Sequence, residues 1–181
     1  MKKILISVFA LALTLPAFAQ PEKGSITVGG SLDFMSADNL SSFTLAPSVG
    51  YFITDNVELG LALKFGSDKF GDLKSSNFGA ELYGRYFWSI GDKASFALRG
   101  GLGFGSEKED MEFAGEIFDA KATTFGINVA PEFWFSITPA TSIYASVGSL
   151  GYNMYKPKDG DSSGIFNLSW NAVGLGVAFN F

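Results

Sequence analysis

Apolar and polar side chains alternate along most of the chain. Ile26, Val28, Gly30, Leu32 and Phe34 share one parity, and Ser25, Thr27, Gly29, Ser31 and Asp33 share the other. A period of two is that of an extended strand with two unlike faces. The same split returns where Phe43, Leu45, Pro47, Val49, Tyr51 and Ile53 oppose Thr44, Ala46, Ser48 and Gly50, and where Val57, Leu59, Leu61, Leu63 and Phe65 oppose Glu58, Gly60, Ala62 and Lys64. Further alternating segments cover 78–90, 94–104, 123–137, 143–147 and 168–181, which makes eight predicted strands. The seventh is the least regular, because its apolar phase shifts between Val147 and Leu150. The eighth is expected to bulge near Asn171.

The links between these segments alternate in length. Those after the first, third, fifth and seventh strands are long (35–42, 66–77, 105–121 and 154–165), and those after the second, fourth and sixth are tight turns built on TDN, GDK and TPA. In an up-and-down sheet this puts every long link at one end and both chain termini at the other. Ile53, Ile90 and Ile137 open the three tight turns, with Tyr51, Trp88 and Phe135 two residues before them. The three turns are therefore equivalent positions, whether through internal duplication or because amphipathic hairpins resemble one another.

The less apolar face decides the solvent. A soluble sheet would carry many Lys and Glu there, whereas this one carries Gly60, Gly79, Gly101, Gly103, Gly126, Gly148, Gly174 and Gly176 among Ala, Ser, Thr and Asn. Such a face suits a narrow lumen, with the apolar face turned to lipid. Aromatic residues gather at two levels: Tyr51, Phe52, Tyr86, Trp88, Phe133, Trp134, Phe135, Phe179 and Phe181 by the tight turns, and Phe34, Phe65, Phe78, Phe104, Phe125 and Trp170 by the long links. They are expected to form two interfacial girdles. The prediction is an all-β, eight-stranded antiparallel up-and-down transmembrane β-barrel with short periplasmic turns and longer extracellular loops. Eight strands leave room for little more than their own side chains. Parity assigns Asp33, Glu58, Lys64, Glu81, Arg85, Arg99 and Glu132 to the lumen as a near-balanced ion-pair network. As filling, this network plugs the lumen; as a gate, it regulates a pore.

Composition fits this picture. Mean hydropathy is +0.22 and 19 residues are Phe, yet no apolar run after the N-terminus is long enough for a membrane helix. The opening MKKILISVFALALTLPAFAQ reads as a secretory signal peptide cleaved after Ala19, leaving a barrel domain over 20–181. Its removal takes Lys2 and Lys3 and leaves 11 basic against 18 acidic residues, a net charge of −7. An acidic chain without a basic stripe is a poor nucleic-acid binder. There is no cysteine, hence neither a disulfide scaffold nor a lipid-modified cysteine.

The signal peptide, the eight alternating segments, the YFITDN turn and the final VGLGVAFNF resemble the small outer-membrane β-barrel family, of the outer-membrane protein X type and the barrel of outer-membrane protein A. The resemblance implies a cell outer-membrane location with lipid and lipopolysaccharide as surroundings. It also implies a last strand whose Val173, Leu175, Val177, Phe179 and Phe181 are read by the barrel-assembly machinery. No periplasmic domain is expected after the barrel.

Chemistry is sparse. The sequence holds no histidine and no cysteine, which removes Ser-His hydrolysis, thiol chemistry and ordinary zinc sites. No catalytic, cofactor or metal residues are assigned. The glycines of GGLGFG (100–105) continue a strand and do not open a helix, so a phosphate loop is not expected. DGDSSG (159–164) begins like a calcium loop, but the twelfth position is Trp170 where a Glu is needed. The longest link carries Glu107, Glu109, Asp110, Glu112, Glu116 and Asp119, a solvated run that could meet an outside partner or share divalent cations with lipopolysaccharide. The expected function is a non-enzymatic structural or surface-interaction barrel with a plugged lumen. The alternatives are a small pore for ions or solutes and a soluble barrel holding an apolar ligand.

Overall fold

A computed structural model describes residues 22–37, 40–70, 73–113, 116–158 and 160–181. The stretch read as a signal peptide and Asp159 of the DGDSSG stretch lie outside these residues. Eight strands follow one another: β1 (Ile26–Ala37), β2 (Leu40–Phe52), β3 (Val57–Phe70), β4 (Leu73–Ser89), β5 (Ala94–Phe113), β6 (Glu116–Thr138), β7 (Thr141–Pro157) and β8 (Ser163–Asn180). Each pairs antiparallel with its neighbours, and β1 pairs with β8 to close the barrel.

The apolar parity faces outward. Leu61, Leu82, Phe104, Phe133 and Leu175 are all exposed, while the intervening Ala62, Glu81, Tyr83, Glu132 and Ala178 are buried. This is the reverse of a soluble barrel, whose apolar side chains would fill the interior. Outward rings cluster at both ends. Tyr86, Trp88, Phe96 and Phe133 form a chain of contacts near the tight turns, and Phe65–Phe78 and Phe104–Phe125 pair near the long links, with ring centres 4.5–5.5 Å apart. All but Tyr86–Trp88 are cross-strand pairs, which stabilise a sheet and suit a membrane boundary.

Two expectations are corrected. The long links are largely strand: β5 runs to Phe113 and β6 restarts at Glu116, so the acidic segment is a hairpin that prolongs the barrel wall. Backbone pairing needs no apolar alternation once both faces meet water, so the periodic signal stops before the strand does. Secondly, Phe52 and Trp134 do not belong to the outer girdle. Each stands at the opposite parity to its exposed neighbours, and they are 1% and 8% exposed.

The irregularity in the seventh and eighth strands is present. Register shifts fall between Val129 and Glu132 on β6 and between Val147 and Ser149 on β7, where Gly148 has φ 74°. This left-handed conformation favours glycine. On β8 the same shift spans Ser169 to Val173, around Asn171. Both strands change parity together, so Leu150 and Leu168 remain outward.

Candidate functional site in the lumen

The lumen is filled in layers from the tight-turn end. Lowest are Phe52, Phe87, Trp134 and Tyr144, packed with Ala97 and Ala178. Phe52 meets Phe87 at 5.4 Å, Phe87 meets Trp134 edge-on at 5.3 Å, and Trp134 stacks on Tyr144 at 4.2 Å. These rings form a floor across the barrel.

Above the floor stands Arg85, on β4 between Tyr83 and Phe87. Its Nη1 donates to Glu58 Oε2 and its Nε donates to Glu132 Oε2, both at 2.8 Å. The guanidinium lies within 4.8 Å of the Tyr83 and Trp134 ring centres. Tyr83 hydroxyl donates to Glu58 Oε1 at 3.1 Å, and Trp134 indole nitrogen donates to Glu132 Oε2 at 2.8 Å. Both carboxylates and the guanidinium are buried, and buried charges persist when paired and hydrogen-bonded in this way. Replacing Tyr83 with Phe should cost about 1.5 kcal/mol, the worth of one bond to a charged acceptor that keeps its other partner. A urea titration in vesicles measures it, and no change would remove the hydroxyl from the network.

A second centre surrounds Glu81, two pleat repeats further along β4. Lys64 and Arg99 both pair with this carboxylate, and Asn128 donates to Oε2 at 3.0 Å. Glu81 Oε1 is within ion-pair reach of Arg99 Nη2 but lacks hydrogen-bond alignment, and Arg99 Nε is buried without a partner. This centre is therefore less completely satisfied than the one below. Arg85 and Arg99 oppose each other directly across β4 and β5, an arrangement that ordinarily repels. The repulsion is avoided because Arg85 turns to Glu58 and Glu132 while Arg99 turns to Glu81, and the Tyr83 ring lies 4.6 and 4.5 Å from the two guanidinium carbons. In formal charge the lower centre carries −1 and the upper +1, so each offsets the other.

Of the seven lumen charges read from the sequence, all lie on the inner face and six are joined in these two centres. Asp33 is outside both: it accepts a hydrogen bond from Ser31 at 3.1 Å and has no ion pair among the described residues. Sequence reading missed Tyr83, Asn128, Trp134 and Tyr144 as network members, although parity places all four on the inner face. Val173, Leu175 and Val177 lie outward on β8, with Phe179 and Phe181 half-buried beside them.

Beyond Lys64 the lumen opens into a cup of about 580 Å³ on the long-hairpin side, lined by Lys64, Asn77, Thr124, Asn128 and Asn153 among others. Its carboxylates are engaged, since Asp68 accepts from Asn77 at 2.8 Å and Glu107 from Ser75 at 2.7 Å. Among the described residues no group of three or more acidic side chains is placed to hold a metal ion.

Comparison with known proteins places this geometry. Residues 5–181 match the family model described as the outer membrane protein beta-barrel domain. Among solved structures, the N-terminal β-barrel domain of Pseudomonas aeruginosa OprF aligns with TM-score 0.60 at 20% identity, over 90% of this chain and 100% of that one. Neisserial surface protein A aligns with TM-score 0.54 at 15% identity, over 88% and 98% of the two chains. A major outer membrane protein of Thermus thermophilus gives TM-score 0.56 at 11% identity, over 88% and 100%. At these identities the structural likeness is one of fold. No curated protein sequence matches the chain.

Proposed function

Because the chain belongs to the outer membrane protein beta-barrel family, we propose that it is exported, is cleaved after Ala19, and serves the outer membrane as a non-enzymatic barrel with a closed lumen. Its role is structural or is carried by surface contacts of the outer hairpins. The observation that carries this reading is the series of two closures, the floor of Phe52, Phe87, Trp134 and Tyr144 and the buried Arg85 centre above it. The absence of histidine and cysteine from the sequence supports the non-enzymatic reading. Val173, Leu175, Val177, Phe179 and Phe181 serve as the segment offered to the barrel-assembly machinery. Lipid and lipopolysaccharide surround the outward side chains, and an extracellular partner meets the prolonged hairpins.

A second reading, a small pore, has one observation in its favour. The Glu81 centre is open to the cup, with the Lys64 side chain 34% exposed, so ions can reach the middle of the barrel from outside. Planar-bilayer recording of the refolded chain separates the two. The expected trace is silent for the wild type and for Arg99→Ala, because the floor and the Arg85 centre remain in series below the altered site. Steady conductance in the wild type would establish the pore.

A further inference from the structure

The cup carries opposite charges at its two ends. At the base Lys64 and Arg99 both pair with Glu81, so this end has one cation more than it has anions. The Lys64 side chain belongs to the cup lining and keeps 34% of its surface exposed. At the rim the lining holds Asp68 and Glu107. They flank Asn77, which donates to Asp68 Oδ2 at 2.8 Å and stands directly opposite Glu107 where β4 pairs with β5. Each carboxylate accepts a hydrogen bond, but among the described residues neither has an ion pair. The rim therefore offers negative charge and the base positive.

Strand geometry sets the distance between the two ends. Lys64, which meets Glu81, is four residues from Asp68 on β3, and Glu81 is four residues from Asn77 on β4. Four residues of strand span about 13 Å. With a charge-assisted hydrogen bond of about 2.8 Å at each end, a ligand that meets both ends has its own charges about 7 Å apart, the reach of two extended residues. The inner positions between base and rim are Gly66 on β3, Gly79 on β4 and Gly105 on β5, so the wall there is bare of side chains. Thr124 and Asn153 also line the cup, and among the described residues their side chains make no hydrogen bond. They offer a hydroxyl and an amide, groups that match the N–H and C=O of a peptide bond.

We propose that the cup binds a zwitterionic dipeptide entering from the long-hairpin side. Its carboxylate lies on Lys64, its ammonium between Asp68 and Glu107, and its peptide bond against Thr124 and Asn153. A free amino acid is too short to meet both ends, and a molecule with one charge meets only one of them. Such binding goes beyond a structural role and does not depend on whether the lumen below the cup conducts.

Saturation-transfer NMR of the refolded chain in deuterated detergent micelles tests this with alanylalanine, its N-acetyl form, its C-terminal amide, and alanine. Alanylalanine should show saturable binding, and the other three should bind about tenfold more weakly, as expected for the loss of one charge-assisted contact. Asp68→Asn combined with Glu107→Gln should weaken alanylalanine and its amide by a similar factor and spare the N-acetyl form, which has no ammonium. Lys64→Met should do the opposite, weakening the N-acetyl form and sparing the amide; Glu81 keeps Arg99 and Asn128 in that variant. Gly103→Leu, where a new Cβ would meet no atom closer than 3.9 Å, fills the cup and should abolish binding of alanylalanine. Heat-modifiable gel mobility confirms that each variant is folded, and the rim and base variants read the two ends independently. Absence of saturable binding, equal binding of either capped form, or binding that survives Gly103→Leu overturns the proposal.

Discussion

Replacing Arg85 with Met should lower the unfolding free energy by about 3–5 kcal/mol, the usual cost of stranding a buried charge. Arg85 is 3% exposed and, among the described residues, supplies the one cation bonded to both Glu58 and Glu132, which are 0% and 2% exposed. Methionine keeps most of the volume and the contacts with Tyr83 and Trp134, so the loss falls on the two carboxylates. They retain only the Tyr83 hydroxyl and the Trp134 indole as donors. Adding Glu58→Gln and Glu132→Gln should recover most of the stability, since the stranded charges are then gone and the effects of neighbours do not add. Urea titrations of the three chains in vesicles measure both steps. A single variant that unfolds within about 1 kcal/mol of the wild type, or a triple variant no better than the single, would mean that packing and not charge pairing holds this layer. Arg99→Ala should cost less, because Glu81 keeps Lys64 and Asn128 and Arg99 is partly exposed.

Much of the architecture is legible because lipid and a narrow lumen demand different side chains on alternate residues. Ile26 to Phe34 announces its strand and its outward face by alternation alone, although β1 runs on to Ala37, and the parity of link lengths orients the barrel. Where both faces of a strand meet water the demand disappears, and the alternation in β5 stops at Phe104 although the strand itself continues to Phe113. Phe52 and Trp134 illustrate a different failure. Their position near the tight turns suggests a girdle, yet their parity sets them inside with Phe87 and Tyr144. Strand position and parity conflict there, and parity decides, because a one-residue change of face costs a whole pleat. The ion-pair partners were beyond reach for a further reason. Arg85 bonds to residues on β3 and β6, and only the tilt and register of the closed barrel bring Glu58 and Glu132 to one side chain.

Glycines on the lumen face look alike in sequence, and the structure divides them. A Cβ on Gly29 would overlap the Val177 carbonyl oxygen and come within 2.9 Å of Ala178 Cα. Both obstacles are backbone of β8, in the run of pairs from Thr27 to Phe34 through which β1 closes the barrel. Main chain in a closed ladder cannot swing aside as a side-chain tip can, so Gly29→Val should prevent closure outright. The cost exceeds the roughly 1–3 kcal/mol of ordinary overpacking. Gly103 has the same parity and faces the same lumen, but its nearest obstacle is Gly126 oxygen at 3.9 Å. Gly103→Val should fold with a change of about 0.5 kcal/mol or less, as expected where no named destabilising mechanism operates. Heat-modifiable gel mobility after refolding reads both variants: Gly29→Val should remain in the unfolded position and Gly103→Val should shift with the wild type. A folded Gly29→Val would show that β1 and β8 can separate at that point and still seal the wall. An unfolded Gly103→Val would mean that the cup has no spare room, and the inner glycines would then all serve close packing instead of leaving space at the outer end.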